Sequence, residues 1–273
     1  MPSSNPLFLT TAVEAVVRAG DLQMARFGQD IQIDKKGTID LVTEVDIAVE
    51  RMFRAMIANR FPDHQILAEE LGGATRVPPG PCWIFDPIDG TTNYAHGLPI
   101  FCASLALEID GVAQVAAVYD PNRRELFTAE RGGGAFLNGQ PIRVSSADLL
   151  VDSLLVTGFP YDVHSRVEEI VGLFGAFVGQ ARAVRRLGSA AIDLCWVACG
   201  RMDGFWESDL KPWDIAGGAL IVAEAGGRMS TMHGEPFSSR GGEVLASNGH
   251  LHAAMLDVIA GFRAASAARH HRS

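Results

Sequence analysis

The segment Trp83-Ile84-Phe85-Asp86-Pro87-Ile88-Asp89-Gly90-Thr91-Thr92-Asn93 constrains this chain more than any other. A short apolar run of strand character ends in two carboxylates three residues apart, and Gly-Thr-Thr follows at the expected start of a helical turn. With Asp86 at the strand end and Asp89 on the next turn, the two acids converge on one point. Hard divalent cations such as magnesium suit that point, because they take oxygen ligands and leave positions open for water and phosphate. Gly90 removes a side chain, so the backbone N–H groups of Gly90, Thr91 and Thr92 can approach an anion, aided by the dipole of a helix start. Taken alone, the segment also reads as a turn capped locally by Asp and Asn.

Three further acidic frames bear on that choice. Asp40-Leu41-Val42-Thr43-Glu44-Val45-Asp46 sets an acid where a helix begins, and Asp46 reads either as a helix-start residue or as part of a site. Ile66-Leu67-Ala68-Glu69-Glu70 puts adjacent acids after a strand-like run, an unfavourable pairing unless a cation or solvent relieves it. Lys211-Pro212-Trp213-Asp214-Ile215-Ala216-Gly217-Gly218 places a carboxylate in the first turn of an apolar helix. One such frame reads as a cap; four in one chain point to a shared cation site. A phosphoaspartate mechanism of the haloacid dehalogenase type needs a nucleophilic Asp two positions before Asp89. Pro87 stands there, which leaves attack by metal-activated water.

The rest of the chain supplies the frame. Apolar residues recur at helical spacing over 7–27 and again from about Val45 to Phe61, where Pro62 ends the run. The segment between them reads as a hairpin or loop. Glu14 and Arg18 interrupt the first stretch, so it is read as a helix and not as a signal peptide. From Cys82 to Leu137 the pattern is one of strands. Asp110-Gly111 is expected to join Ser104–Ile109 to Val112–Tyr119, and Asn138-Gly139 to join Phe136-Leu137 to Ile142–Val144. The second half alternates strands at Leu154, Gly204 and Val244 with helices over Val167–Val178, Ala190–Ala198, Trp213–Ala225 and His250–Phe262. The expected fold is mixed α+β, with an antiparallel sheet in the N-terminal half and a mixed α/β C-terminal half. The two lobes, 1–146 and 147–273, form one compact unit.

No run of about 18 apolar residues suggests a membrane span. Lys and Arg number 23 against 32 Asp and Glu, and a net charge of −9 argues against nucleic acid as a partner. Cys82, Cys102, Cys195 and Cys199 show neither CxxC nor zinc spacing, and read as free thiols in a reducing cytoplasm.

Together these residues resemble the inositol monophosphatase family, within the magnesium-dependent, lithium-sensitive sugar-phosphatase superfamily. The resemblance runs through WIFDPIDGTTNY at 83–94, KPWDIAGGALIVAEAGG at 211–227, DLVTEVD at 40–46, LAEE at 67–70 and LGSAAIDLCWVACGRMDGFWE at 187–207, and covers the chain to about Phe262. It implies a layered αβαβα sandwich and hydrolysis of a small polyol phosphate, first of all an inositol monophosphate, with two or three Mg2+ ions. Glu69, Asp86 and the carbonyl of Ile88 would hold one ion, and Asp86, Asp89 and Asp214 a second. Thr91 would orient the attacking water, supported by Asp46. Glu69 completes this catalytic set and would touch a third ion. Gly90, Thr91 and Thr92 would grip the phosphate, and Asp89, Ala190 and Glu207 would meet substrate hydroxyls. Lys35 or Lys36 matches a basic residue beside the site.

The resemblance further implies a homodimer. Relatives act on histidinol phosphate, fructose 1,6-bisphosphate or 3′-phosphoadenosine phosphates, and a non-catalytic binding protein on the same fold is the alternative of a different class. Ala68 stands where many members have Gly, a change that removes no ligand. Arg185 and Arg186 read either as substrate contacts or as partners in a surface or dimer-interface salt bridge. Trp206 and Trp213 read as packing beneath the site, and His96 as a solvated loop residue.

Overall fold

The computed structural model describes residues 5–72 and 79–270. Helix α1 (Pro6–Arg26) starts at Asn5, whose side chain accepts the Leu7 N–H, with Pro6 at the first helical position where its missing N–H is harmless. The hairpin β1 (Ile33–Lys35) and β2 (Leu41–Thr43) leads into α2 (Glu44–Arg60). Next come β3 (Gln65–Ala68), β4 (Pro81–Asp89), the short α3 (Thr91–Ala95), β5 (Cys102–Ile109), β6 (Val112–Asp120), β7 (Glu125–Glu130), β8 (Gly134–Leu137) and β9 (Gln140–Pro141). These strands make a seven-stranded sheet in sequence order, antiparallel except for the β3–β4 pair.

The chain then builds a five-stranded sheet from β10 (Leu154–Thr157), β11 (Ala183–Arg186), β12 (Gly204–Glu207), β13 (Arg228–Ser230) and β14 (Val244–Ser247), ordered β11-β10-β12-β14-β13. Its helices are α4 (Val167–Val178), α5 (Ala190–Ala198), α6 (Pro212–Glu224) and α7 (His252–His270).

Five layers result. α1 and α2 cover one face of the large sheet, α5 and α6 fill the space between the sheets, and α4 and α7 close the outer face of the small sheet. The middle layer is thin because α6 carries two glycines. A Cβ at Gly217 would lie 2.8 Å from Ser104 Oγ, and one at Gly218 2.6 Å from Leu194 Cβ. That closeness brings the first turn of α6, with Asp214, down beside the end of β4.

The hairpin turns fall at Asp110-Gly111 and Asn138-Gly139, all four residues at positive φ as a tight hairpin requires. Three details differ from the sequence reading. Residues Ile142–Val144 add no strand: after Pro141 the chain leaves the sheet, and the Val144 N–H reaches the Ala225 carbonyl beyond α6. Strands β11 and β13 carry too few β-branched or aromatic residues to stand out from turns. The most consequential difference is in β4, which does not end at Asp86 but runs through Asp89. Its pairing with β5 steps from Asp86↔Ser104 to Asp89↔Cys102, so β4 holds one extra residue, a bulge containing Pro87. In a regular strand, side chains three apart point to opposite faces. The extra residue turns Asp86 and Asp89 toward the same cavity.

Candidate active site

β3, β4, β12, the first hairpin and the N-termini of α3, α5 and α6 meet at a cavity of about 430 Å³. Glu69, Asp86, Ile88, Asp89, Gly90, Thr91, Thr92, Ala190, Glu207 and Asp214 all line it. Asp46, fully buried, stands directly behind Thr91.

Each side chain is held by a local device. Thr43 caps α2, its Oγ1 accepting the Val45 and Asp46 N–H groups, while Asp46 Oδ2 accepts the Thr43 N–H at 2.8 Å. Asp46 Oδ1 lies 3.2 Å from the Thr91 hydroxyl, which also stands 2.9 Å from the Ile88 carbonyl. Asp46 thus divides its two oxygens, Oδ2 closing the helix start and Oδ1 facing the Thr91 hydroxyl at the cavity wall. Asp86 Oδ1 accepts the Ile88 N–H at 2.9 Å, fixing the bulge. Gly90 sits at φ 99°, where a Cβ would come 2.9 Å from the Ile100 carbonyl oxygen, so only glycine makes this turn into α3. Asp89 Oδ2 accepts the Ser189 hydroxyl at 2.6 Å and the Ala191 N–H at 2.7 Å, tying the end of the large sheet to the N-terminus of α5. The Lys211 N–H donates to Asp214 Oδ2 at 2.6 Å.

The charge in this cavity is one-sided. Burial, reinforced by Glu69, Asp89 and Asp214, holds the Asp86 carboxyl well above the usual carboxylate range. Burial also raises Asp89, Asp214 and Glu69. Asp46 is pushed up to about 6 and Glu207 to about 8, burial leading in both. Lys36 is the basic residue of the first hairpin that answers them, with Nζ 2.5 Å from Glu69 and 3.0 Å from Glu70. Burial alone would lower its pKa, yet Glu69 and Glu70 raise it. Lys35 is exposed.

The donor set fits a hard divalent cation: oxygens only, buried, and mutually repelling without a positive partner. Among the described residues no three acidic, His or Cys side chains are gathered into a closed metal shell. Mg2+ does not require one, since it keeps several waters and binds through one or two carboxylates with phosphate.

Ser189 at the cavity, and Asp193 and Glu50 outside its lining, escaped the sequence reading, which names Arg186. Ser189 bonds Asp89. Arg186 lines the cavity, its guanidinium 5.4 Å from the Phe159 ring centroid. Asp193, on α5, is buried with neither oxygen hydrogen-bonded, and burial with the nearby Glu207 and Asp89 raises it well above the usual range. Glu50, on α2, is fully buried; its signal was an acid one turn after Asp46, beside Val49 and Phe53. Trp206 stacks on Phe177 at 3.9 Å, a packing role. Trp213 lines the cavity, and His96 lies outside its lining on an exposed turn.

The layered fold is shared with the solved inositol monophosphatase of Anabaena (Nostoc) sp., at a TM-score of 0.85 and 40% identity, covering 93% of this chain and 96% of that one. Fold and cavity together define a phosphoric monoester hydrolase. The sequence narrows the class further, because the model of the Inositol monophosphatase family matches residues 6–263. The Inositol-1-monophosphatase of Synechocystis sp. is 45% identical over 260 residues, 95% of this chain and 91% of the relative. The Nus factor SuhB of Escherichia coli is 41% identical over 250 residues, 91% of this chain and 94% of the relative. The chain belongs to the inositol monophosphatase family.

Proposed function

We propose that the protein is a Mg2+-dependent phosphomonoesterase acting on a small polyol phosphate, inositol monophosphate first, with two or three ions per site. The observation that carries this reading is the convergence of Glu69, Asp86, Asp89 and Asp214 on one cavity with Gly90, Thr91 and Glu207. Glu69, Asp86, Asp89, Asp214 and the Ile88 carbonyl would hold the ions. Bound there, they polarise the phosphoryl oxygens and lower the pKa of water.

The chain's own residues supply the rest. The Thr91 hydroxyl donates toward Asp46 Oδ1 or the Ile88 carbonyl, which leaves its oxygen lone pairs free to accept a hydrogen bond from the attacking water and orient it. The first N–H groups of α3, at Gly90, Thr91 and Thr92, have no partner within that helix and are available to the phosphate. Glu207, buried and with no side-chain hydrogen bond among the described residues, meets the hydroxyls of the polyol, and Ala190 and Asp89 border the same face.

Family resemblance supports lithium sensitivity and a homodimer. Four free thiols, three of them buried, support a reducing compartment such as the cytoplasm. Among the described residues no helix is long and apolar enough to cross a membrane.

The test is phosphate release from inositol, histidinol, fructose and 3′-phosphoadenosine phosphates, with and without Mg2+. Mg2+-dependent release, strongest from the inositol ester and abolished in Asp89→Asn, is expected. No release from any ester, or full activity in Asp89→Asn, overturns the reading. Because the Escherichia coli relative is named a Nus factor, a non-catalytic role on the same fold is a second reading. Pulldowns with wild type and Asp89→Asn side by side separate binding from turnover.

A further inference from the structure

The structure assigns Glu50 and Arg54 of α2 as a clamp on the backbone after Glu69, and we propose that this clamp sets the affinity of the site for Mg2+. The inference rests on Glu69 being a metal ligand, as proposed above.

β3 is an edge strand whose pairing with β4 stops at Ala68↔Phe85, so Glu69 leaves the sheet with no ladder partner. What holds the chain from there is α2. Glu50 Oε2 accepts the Glu70 N–H at 2.7 Å, and Oε1 accepts the Leu71 N–H at 3.0 Å. Arg54 donates from Nε to the same Oε1 at 2.8 Å, and its Nη2 donates to the Gly72 carbonyl. The two side chains thus grip three consecutive backbone units immediately after Glu69.

The chemistry of Glu50 points the same way. A fully buried carboxylate is tolerated only where it is paired and hydrogen-bonded. Glu50 directs that capacity at a loop bearing a ligand and not at a neighbouring core element. The geometry along α2 is periodic as well. Asp46, Glu50 and Arg54 are spaced i, i+4, i+8 and share one helix face. The first reaches Thr91, the second and third reach the segment after Glu69. One helix face therefore aligns the residue that orients water with the loop that presents a ligand. With the ladder fixed at Ala68 and the clamp at Glu70, the Glu69 backbone is pinned on both sides, and the carboxylate reaches the cavity without the entropy of an untethered loop. Outer partners of metal ligands of this kind typically change metal affinity 10–100-fold when removed.

The experiment is Mg2+ binding by isothermal titration calorimetry on the full chain, with steady-state kinetics beside it. Glu50→Gln keeps the shape and places an amide against two N–H donors. Arg54→Met, at a partly exposed side chain, leaves Glu50 in place and keeps the fold secure. Glu108→Gln is the control for lost stability alone. It removes the charge of another buried carboxylate, Glu108, whose Oε2 accepts from Arg240 at 2.6 Å at the far end of β4 and β5.

A rise in the tightest Mg2+ dissociation constant of about tenfold or more is expected for Glu50→Gln, and a smaller rise for Arg54→Met. The kcat at saturating Mg2+ and the substrate KM should stay near wild type, and Glu108→Gln should bind Mg2+ as wild type does. Unchanged Mg2+ binding in both clamp variants overturns the inference, as does an equal loss in Glu108→Gln. Asp86→Asn separates the levels: if it binds Mg2+ like wild type, the ligand reading itself fails. If Asp86→Asn loses Mg2+ and the clamp variants do not, only the clamp fails.

Discussion

Asp46 ties the start of α2 to the cavity wall through its two oxygens. Its Oδ2 closes the cap of α2 with Thr43 and its Oδ1 faces the Thr91 hydroxyl. Asp46→Asn keeps the volume, but the amide offers one acceptor where two are in use. Whichever way it turns, an N–H₂ group faces either the Thr43 donors or Thr91. If the Thr43 bond keeps the oxygen, Thr91 loses its anchor and the attacking water is misplaced, an error that costs on the order of 10²-fold in rate. The expected outcome is a kcat lower by about that factor with substrate KM little changed, measured at saturating Mg2+. The cap should lose about 1 kcal/mol at most, visible as a small drop in thermal midpoint. A wild-type kcat in Asp46→Asn would mean that Thr91 does not need this carboxylate.

At the scale of elements, strand register decides which residues meet. β10 and β12 run parallel with Thr157 opposite Trp206, so Gly158 falls beside Glu207. The space there is filled by the Glu207 carboxyl, whose oxygens would lie 2.0 and 2.2 Å from a Cβ on Gly158. Gly158→Ala must therefore displace Glu207 from the substrate side while leaving the acids of β4 untouched. Substrate KM should rise roughly tenfold, the weight of one to two lost hydrogen bonds, with kcat and the Mg2+ requirement close to wild type. A parallel rise in the Mg2+ requirement would place Glu207 nearer the metal cluster than proposed.

Register also explains what the sequence could and could not disclose. The acidic frames were legible because each places a carboxylate against apolar residues, and the helix over Val167–Val178 because its apolar face recurs at helical spacing. The bulge in β4 was not, since nothing local says that one residue is extra. Nor was the direction of Arg186, because a one-residue shift in a short edge strand sends it to the other face. Lys35 and Lys36 were indistinguishable until the turn at Gly37–Asp40 set which of them faces Glu69.

Across the whole molecule, the net charge of −9 is concentrated in part at one cavity, and folding without metal must gather those acids against their own repulsion. The consequence for stability follows from proton linkage. Asp46 rises on folding from 3.8 to about 6 and Glu207 from 4.5 to about 8, while Asp86, Asp89 and Asp214 move in the same direction. An acid with a raised folded pKa binds more protons folded than unfolded in the window between the two values. Its contribution to stability is therefore complete below the unfolded pKa and is lost as pH climbs through the folded one. In EDTA the thermal midpoint should fall as pH is raised from about 4 to about 8. Mg2+ acts oppositely, since it binds the ionised form and competes with protons. At a hundredfold excess over its dissociation constant it adds about 2.7 kcal/mol, and that increment should grow with pH across the same window. Thermal unfolding at several pH values, with EDTA and with Mg2+, measures both slopes. A Mg2+ increment independent of pH would show that the cation does not bind the acids of this cavity, and Asp214→Asn, which removes one of them, should flatten both slopes together.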